Sequence, residues 1–189
     1  MSEKIPVGLS ACLSGGAVLD SGEGRPQIDE NELVRIYALH ELYVLHQQGL
    51  TRAALIAWHS RYKLLMLAHS QPEYRQLGPF VAAVHEWDNL EAFFTAYRQR
   101  VAQLLSHRST RRNHTNVLMH VQGYFRQQLT HSQRRELTSL IDAYRCGTQP
   151  LLAPLMLIKH YMRQYPHLWL SGQRYFELWP AILRLRTER

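Results

Sequence analysis

The sequence predicts an all-α fold: a single compact multi-helix domain of about seven helices, residues 29–189, behind a short non-helical N-terminal arm, residues 1–28. Three observations predict it. Apolar residues recur at three- and four-residue spacing through almost every segment after residue 29. Capping residues, glycines and prolines punctuate those segments where helices would start and stop. Ile5-Pro6-Val7-Gly8-Leu9 is the one stretch that reads as a strand, and one strand makes no sheet. With 46% hydrophobic and 20% charged residues, the chain has enough apolar surface for a real core.

Each element has its own signal. In the arm, Ser10 to Gly16 form a small-residue loop, and Gly22, Gly24 and Pro26 a flexible connector. The first helix opens at a capping box, Asp29 with Glu32, sets Leu33, Ile36, Tyr37, His40 and Val44 on one face, and stops at Gly49. The second starts near Thr51 and carries Leu55, Trp58, Tyr62, Leu65 and Met66. Ser70-Gln71-Pro72-Glu73 opens the third, which Gly78-Pro79 is expected to bend or interrupt. Asp88 with Glu91 is expected to cap the fourth, with Phe94, Tyr97, Val101, Leu104 and Leu105 inside. Asn113 is expected to cap the fifth, which ends before Thr130. Thr130 with Gln133 caps the sixth, running through Leu137, Leu140, Ile141 and Tyr144 to Gly147. The seventh runs from about Leu151 to Tyr165, halted by Pro166. A last segment carries Tyr175, Phe176, Leu178 and Trp179 and is expected to break at Pro180.

The charge is lopsided. Nineteen of 22 basic residues are Arg, against 15 acids, for a formal net charge of +7. Arginine's planar fork binds phosphate bidentately and stacks on bases, unlike the compact lysine ammonium. With ten Tyr, that excess points toward RNA or another polyphosphate, or toward a basic surface with no partner. No apolar run approaches the ~18 residues needed to span a bilayer, so no membrane role is expected. Leu9-Ser10-Ala11-Cys12 resembles a lipoprotein cleavage box but lacks the preceding apolar stretch. Two cysteines, Cys12 and Cys146, make no disulfide framework, and the cytoplasm is the expected location. None of the eleven histidines stands three or four residues from another, which opposes a zinc site; no cofactor is expected.

The fifth helix is the richest in chemistry. Val117, Leu118, Val121 and Phe125 form an apolar stripe with His114, while Asn116, His120, Tyr124 and Gln127 form a polar-aromatic one. Gly123 beside that second stripe suggests close approach by a helix or ligand, since a mid-helix Gly costs about 1 kcal/mol relative to Ala. Asn116, His120 and Tyr124 are expected to read or stack on a base. Before this helix stand Arg108, Arg111 and Arg112, leading into a helix N-terminus suited to phosphate. Arg61 and Lys63 on the second helix, and Lys159 and Arg163 on the seventh, are further phosphate candidates, whereas His59 and His69 read as buried, bonded histidines.

Several motifs carry a resemblance. His59-Ser60-Arg61-Tyr62-Lys63-Leu64, Ala68-His69-Ser70, His114 through Phe125, Pro150 through Leu155 and Ser171 through Phe176 resemble the YbgA family of bacterial proteins across about Glu32 to Leu183. The arm, Val7 through Gly15, resembles the opening of the thiouracil desulfidases, where the residue matching Cys12 is one of three cysteines holding a [4Fe-4S] cluster. The resemblance implies longer relatives that join such a desulfidase to a YbgA-type domain and act on 4-thiouridine in tRNA, the helical part helping to hold the RNA. Only Cys12 matches a cluster ligand here, so autonomous desulfuration is not expected.

The sequence therefore leads to a non-catalytic RNA-binding domain for tRNA or thiolated-uridine RNA, accessory in one version to a separate desulfidase. Two alternatives stand beside it. One is an enzyme acting on a nucleotide-like small molecule, with His120 as general base near Tyr124 and Lys159. The other is a protein-binding adaptor.

Overall fold

The computed structural model describes residues 29–187, so the expected N-terminal arm with Cys12 lies outside it. Among the described residues the regular structure is entirely helical. The helices are α1 (Glu30–Gln47), α2 (Arg52–His69), α3 (Gln71–Ala82), α4 (Leu90–Ser106), α5 (Arg111–Tyr124), α6 (His131–Cys146), α7 (Leu152–Gln164), α8 (Leu168–Ser171) and α9 (Tyr175–Thr187), with a 3-10 turn at Ala83–Glu86.

The centre of the fold is α2. It packs against α1, α3, α4, α5 and α9, and nine of its 18 residues are buried. The expected stripe of Leu55, Trp58, Tyr62, Leu65 and Met66 is among them, joined by Leu64, Ala68, His59 and His69. On one side α1 lies along α4; on the other α5 leads to α6, and α6 to α7. The aromatic centre holds Trp58, Tyr62, Phe93, Tyr97, Phe125, Tyr175 and Trp179, all essentially solvent-free.

Most caps fall where the sequence placed them. Asp29, Thr51, Ser70 and Thr130 each accept a backbone N–H three residues on, and Thr130 with Gln133 completes a capping box. Two starts differ. Asn89 rather than Asp88 caps α4, its side chain accepting from the Ala92 N–H at 3.0 Å. Adjacent Asp and Asn cap about equally well, and full burial of Phe93 goes with the later start. Thr110 rather than Asn113 caps α5, which frees the Asn113 amide to donate to the His69 carbonyl at 3.1 Å. That bond ties the start of α5 to the end of α2.

Three other expectations are corrected. Along α1 the buried residues are Val34, Ala38 and Leu42, while Tyr37 and His40 face solvent. Apolar residues surround that helix almost completely, so its periodicity selects no face. Pro79 and Pro180 both lie inside continuous helices, α3 and α9. Each proline removes one ladder hydrogen bond, costing about 3 kcal/mol. Burying a large apolar side chain contributes about 1.5–3 kcal/mol; Leu77 and Val81 flank Pro79, and Phe176, Trp179 and Ile182 flank Pro180. Burial wins at both places.

Gly123 and Gly147 separate two uses of glycine. Gly147 ends α6 at φ +86°, in the left-handed region. Gly123 is helical, and a Cβ there would meet no atom within 4 Å, so no neighbouring helix demands it. Gly147→Ala is expected to destabilise the fold by about 1–2 kcal/mol. Gly123→Ala is expected to stabilise it by up to about 1 kcal/mol. Urea midpoints of the two variants check both signs.

Candidate nucleic-acid interface

A side-chain amide builds the site. Gln173, 1% exposed, donates from Nε2 to the Ser60 carbonyl at 2.8 Å and accepts the Leu64 N–H at 3.2 Å. Those are the two backbone groups that an α-helix joins to each other, so the amide lies along the ladder of α2 like an added peptide unit. The Arg174 N–H donates to the Arg61 carbonyl at 3.1 Å, and the Arg174 guanidinium pairs with Glu41 of α1 at 2.8 Å. The segment between α8 and α9 is thereby laid onto the middle of α2.

This placement brings α8 to the surface beside α5. The Trp169 indole N–H donates to the Ser60 hydroxyl at 3.1 Å. Its ring stacks on Tyr124 of α5, centroids 5.2 Å apart at 15°, and Lys63 of α2 holds its ammonium 5.5 Å from the Trp169 ring centre. His167 meets Tyr124 edge-on at 5.1 Å. Tyr124 remains 38% exposed. A cation against stacked rings with open surface suits an aromatic base and its phosphate.

Of the predicted residues, the structure thus unites Lys63 and Tyr124. Arg112, Asn116, His120 and Tyr124 follow one another at four-residue intervals along α5, spanning about 18 Å. Arg112 and His120 are exposed and form no ion pair among the described residues; Asn116 is half-buried. The other arginines near this helix are engaged. Arg111 donates to the Tyr144 carbonyl in the last turn of α6 and sits over the Tyr144 ring at 4.8 Å, capping that helix. Arg108 pairs with Asp29 at 3.0 Å, Arg61 with Glu41 at 3.9 Å. The basic loop itself is pinned: Ser109 gives both its N–H and its hydroxyl to Asn31, and the His107 carbonyl accepts from His69 Nδ1 at 2.7 Å. Lys159 is half-buried and Arg163 exposed on α7, without a hydrogen bond or ion pair to the α5 residues. Surface depressions lie on the outer face of α6, around Arg134, Arg135 and Thr138, and between α3 and α4, around Glu73 and Arg100. Neither takes in His120, Tyr124 or Lys159.

Sequence reasoning missed Ser60, Gln173, His167 and Trp169 as site residues. Their signal was weak because Trp169 sits in a four-residue helix, too short for any periodicity to show. The tyrosine it stacks on was legible from α5 alone.

His59, His69 and His114 are interior groups. His59 is hydrogen-bonded to the Tyr97 hydroxyl at 3.0 Å and His114 to the Tyr175 hydroxyl at 2.9 Å. Burial, then the charge of Lys63, pushes His59 down to about 4. Burial, then His69, pushes His114 down to about 3. His69 is lowered as well, chiefly by burial. Among the described residues, no group of three or more His, Cys, Asp or Glu could hold a metal ion.

A family model described as "Protein of unknown function (DUF1722)" matches residues 63–180. The uncharacterized protein YbgA of Escherichia coli (strain K12) is 63% identical over 160 residues, covering 85% of this chain and 95% of the relative. The chain belongs to the DUF1722 family. No solved structure matches it. The DUF1722 match begins at Lys63 and ends at Pro180, so it takes in Lys63, Tyr124, Trp169 and Gln173 together. No helix among the described residues is long and apolar enough to cross a membrane.

The buried histidines of this DUF1722 domain give its stability a pH dependence. Unfolded, an imidazole titrates near 6.5; folded, His59 and His114 take up protons only near about 4 and about 3. The unfolded chain therefore binds more protons in that window, and stability falls as pH drops below about 6.5. Each group contributes on the order of 3 kcal/mol at neutral pH that acid removes. Urea midpoints are expected to drop steeply between pH 7 and about pH 4. His59→Gln is expected to flatten that slope while lowering the midpoint at pH 7.

Proposed function

We propose that this DUF1722 chain is an RNA-binding domain rather than a catalyst, with tRNA or thiolated-uridine RNA as its target. The observation that carries the reading is the meeting of Lys63, Tyr124 and Trp169, from three separate stretches, in a half-exposed ring column. The outward face of α5 leads to it through Arg112, Asn116 and His120. Phosphates along that face meet Arg112 and Lys63, and a base meets the rings. The net charge of +7 supplies long-range attraction to a polyanion. Stacking contributes about 1–3 kcal/mol per base and tolerates any sequence, so affinity rests on charge plus a few aromatic contacts. The arrangement also suits the accessory role that the resemblance to desulfidase-linked proteins implies, holding thiolated RNA for a separate desulfidase.

The reading predicts strong salt dependence. Filter binding to bulk tRNA is expected to weaken by a factor of ten or more between roughly 50 and 200 mM salt. Lys63→Ala and Arg112→Ala are each expected to weaken binding and reduce the slope of log affinity against log salt by about one. Absence of any binding at the lower salt would end the proposal.

A further inference from the structure

Leu168 is 94% exposed, the most open large apolar side chain among the described residues. Both of its neighbours are anchored. His167 meets the Tyr124 ring, and its Nδ1 accepts the Leu170 N–H at 3.5 Å. Trp169 is bonded to Ser60 and stacked on Tyr124. Leu170 is fully buried. The leucine is therefore a projecting tip on a fixed base, between the two residues that meet the Tyr124 ring.

Resting on the RNA-binding reading, we propose that the Leu168 tip and the Tyr124–Trp169 pair form a subsite for an unpaired nucleobase. The RNA recognised then carries an unstacked base, in a loop, a bulge or an overhang, rather than a continuous duplex. In an A-form duplex the base faces are stacked on one another, and the deep major groove admits no side chain. Such a duplex offers phosphates to Lys63 and Arg112 but leaves the rings and the leucine idle. A base out of the stack covers that apolar surface while its own phosphate remains within reach of cations. Lys63, 5.5 Å from the Trp169 ring centre, couples the two contacts. The chain's positive charge favours a polyanion over an apolar protein segment as the occupant.

The test compares a blunt RNA duplex with the same duplex bearing a single-stranded 3′ overhang that contains 2-aminopurine. Binding is followed by anisotropy at low salt, and base environment by 2-aminopurine fluorescence, for the full chain and for Leu168→Ala and Tyr124→Leu. The overhang is expected to bind about tenfold tighter than the blunt duplex, with 2-aminopurine quenched on binding. Leu168→Ala, on the surface and without effect on folding, is expected to remove most of that preference while leaving duplex affinity unchanged. Tyr124→Leu should also abolish the quenching. Equal binding of the two RNAs, or a preference untouched by Leu168→Ala, would overturn the subsite while the RNA-binding reading stands. Binding to neither RNA overturns both. If Leu168→Ala instead abolishes self-association seen by sedimentation, with RNA binding unaltered, the tip is a protein contact and the proposal falls.

Discussion

A helix packed among its neighbours along its length needs partners inside the protein for the polar groups it buries, and α2, with nine of its 18 residues buried, finds them for several. Its answer sets the rest of the structure. His59 finds Tyr97 on α4, His69 finds the carbonyl of His107, and the His69 carbonyl finds Asn113 on α5. The Ser60 carbonyl and the Leu64 N–H share the Gln173 amide. Each bond draws a different element onto the same helix, so together they fix the positions of α4, α5 and the α8–α9 segment. Tyr62 OH, Trp58 Nε1 and His69 Nε2 depart from the pattern, being buried without a hydrogen-bond partner among the described residues; the Tyr62 phenol is held neutral first by burial and then by the carboxylate of Glu41, which also binds Arg174.

The same bonds make the surface site rigid. Gln173 supplies two hydrogen bonds and Trp169 a third, each contributing about 1 kcal/mol net, and buried Leu170 adds about 1.5–3 kcal/mol. A four-residue helix has almost no stability of its own. Its fixed place comes from α2 beneath it. Rings presented on such a base keep their spacing without ordering costs when a ligand arrives, which is what preorganised binding requires.

The arginine excess divides into cations that hold the fold and cations left open. Arg111 closes the end of α6, Arg174 joins α1 to the α8–α9 segment, and Arg108 leans on the cap of α1. Arg112 and Arg163 are exposed and, among the described residues, without ion pairs. Exposed pairs such as Arg108 with Asp29 contribute at most about 1 kcal/mol and yield readily to a stronger anion. The electropositive character visible in composition is thus carried by fewer free groups than a count suggests.

Read alone, the sequence determined the helical class, most helix starts and the outward stripe of α5. These are local properties: a Thr or Ser cap, a Gly at positive φ and four-residue spacing act within a few residues of chain. Local rules also erred in local ways, choosing Asp88 over Asn89, Asn113 over Thr110, and a break at Pro180 that burial of Trp179 and Ile182 overrides. Only the tertiary structure decided which face of α1 is inside, that Arg111 caps α6, and that Lys63, Tyr124 and Trp169 meet. Those facts depend on pairs such as Gln173 with Ser60, 113 residues apart. No periodicity records a bond between distant stretches, because such a bond exists only once the intervening helices have packed.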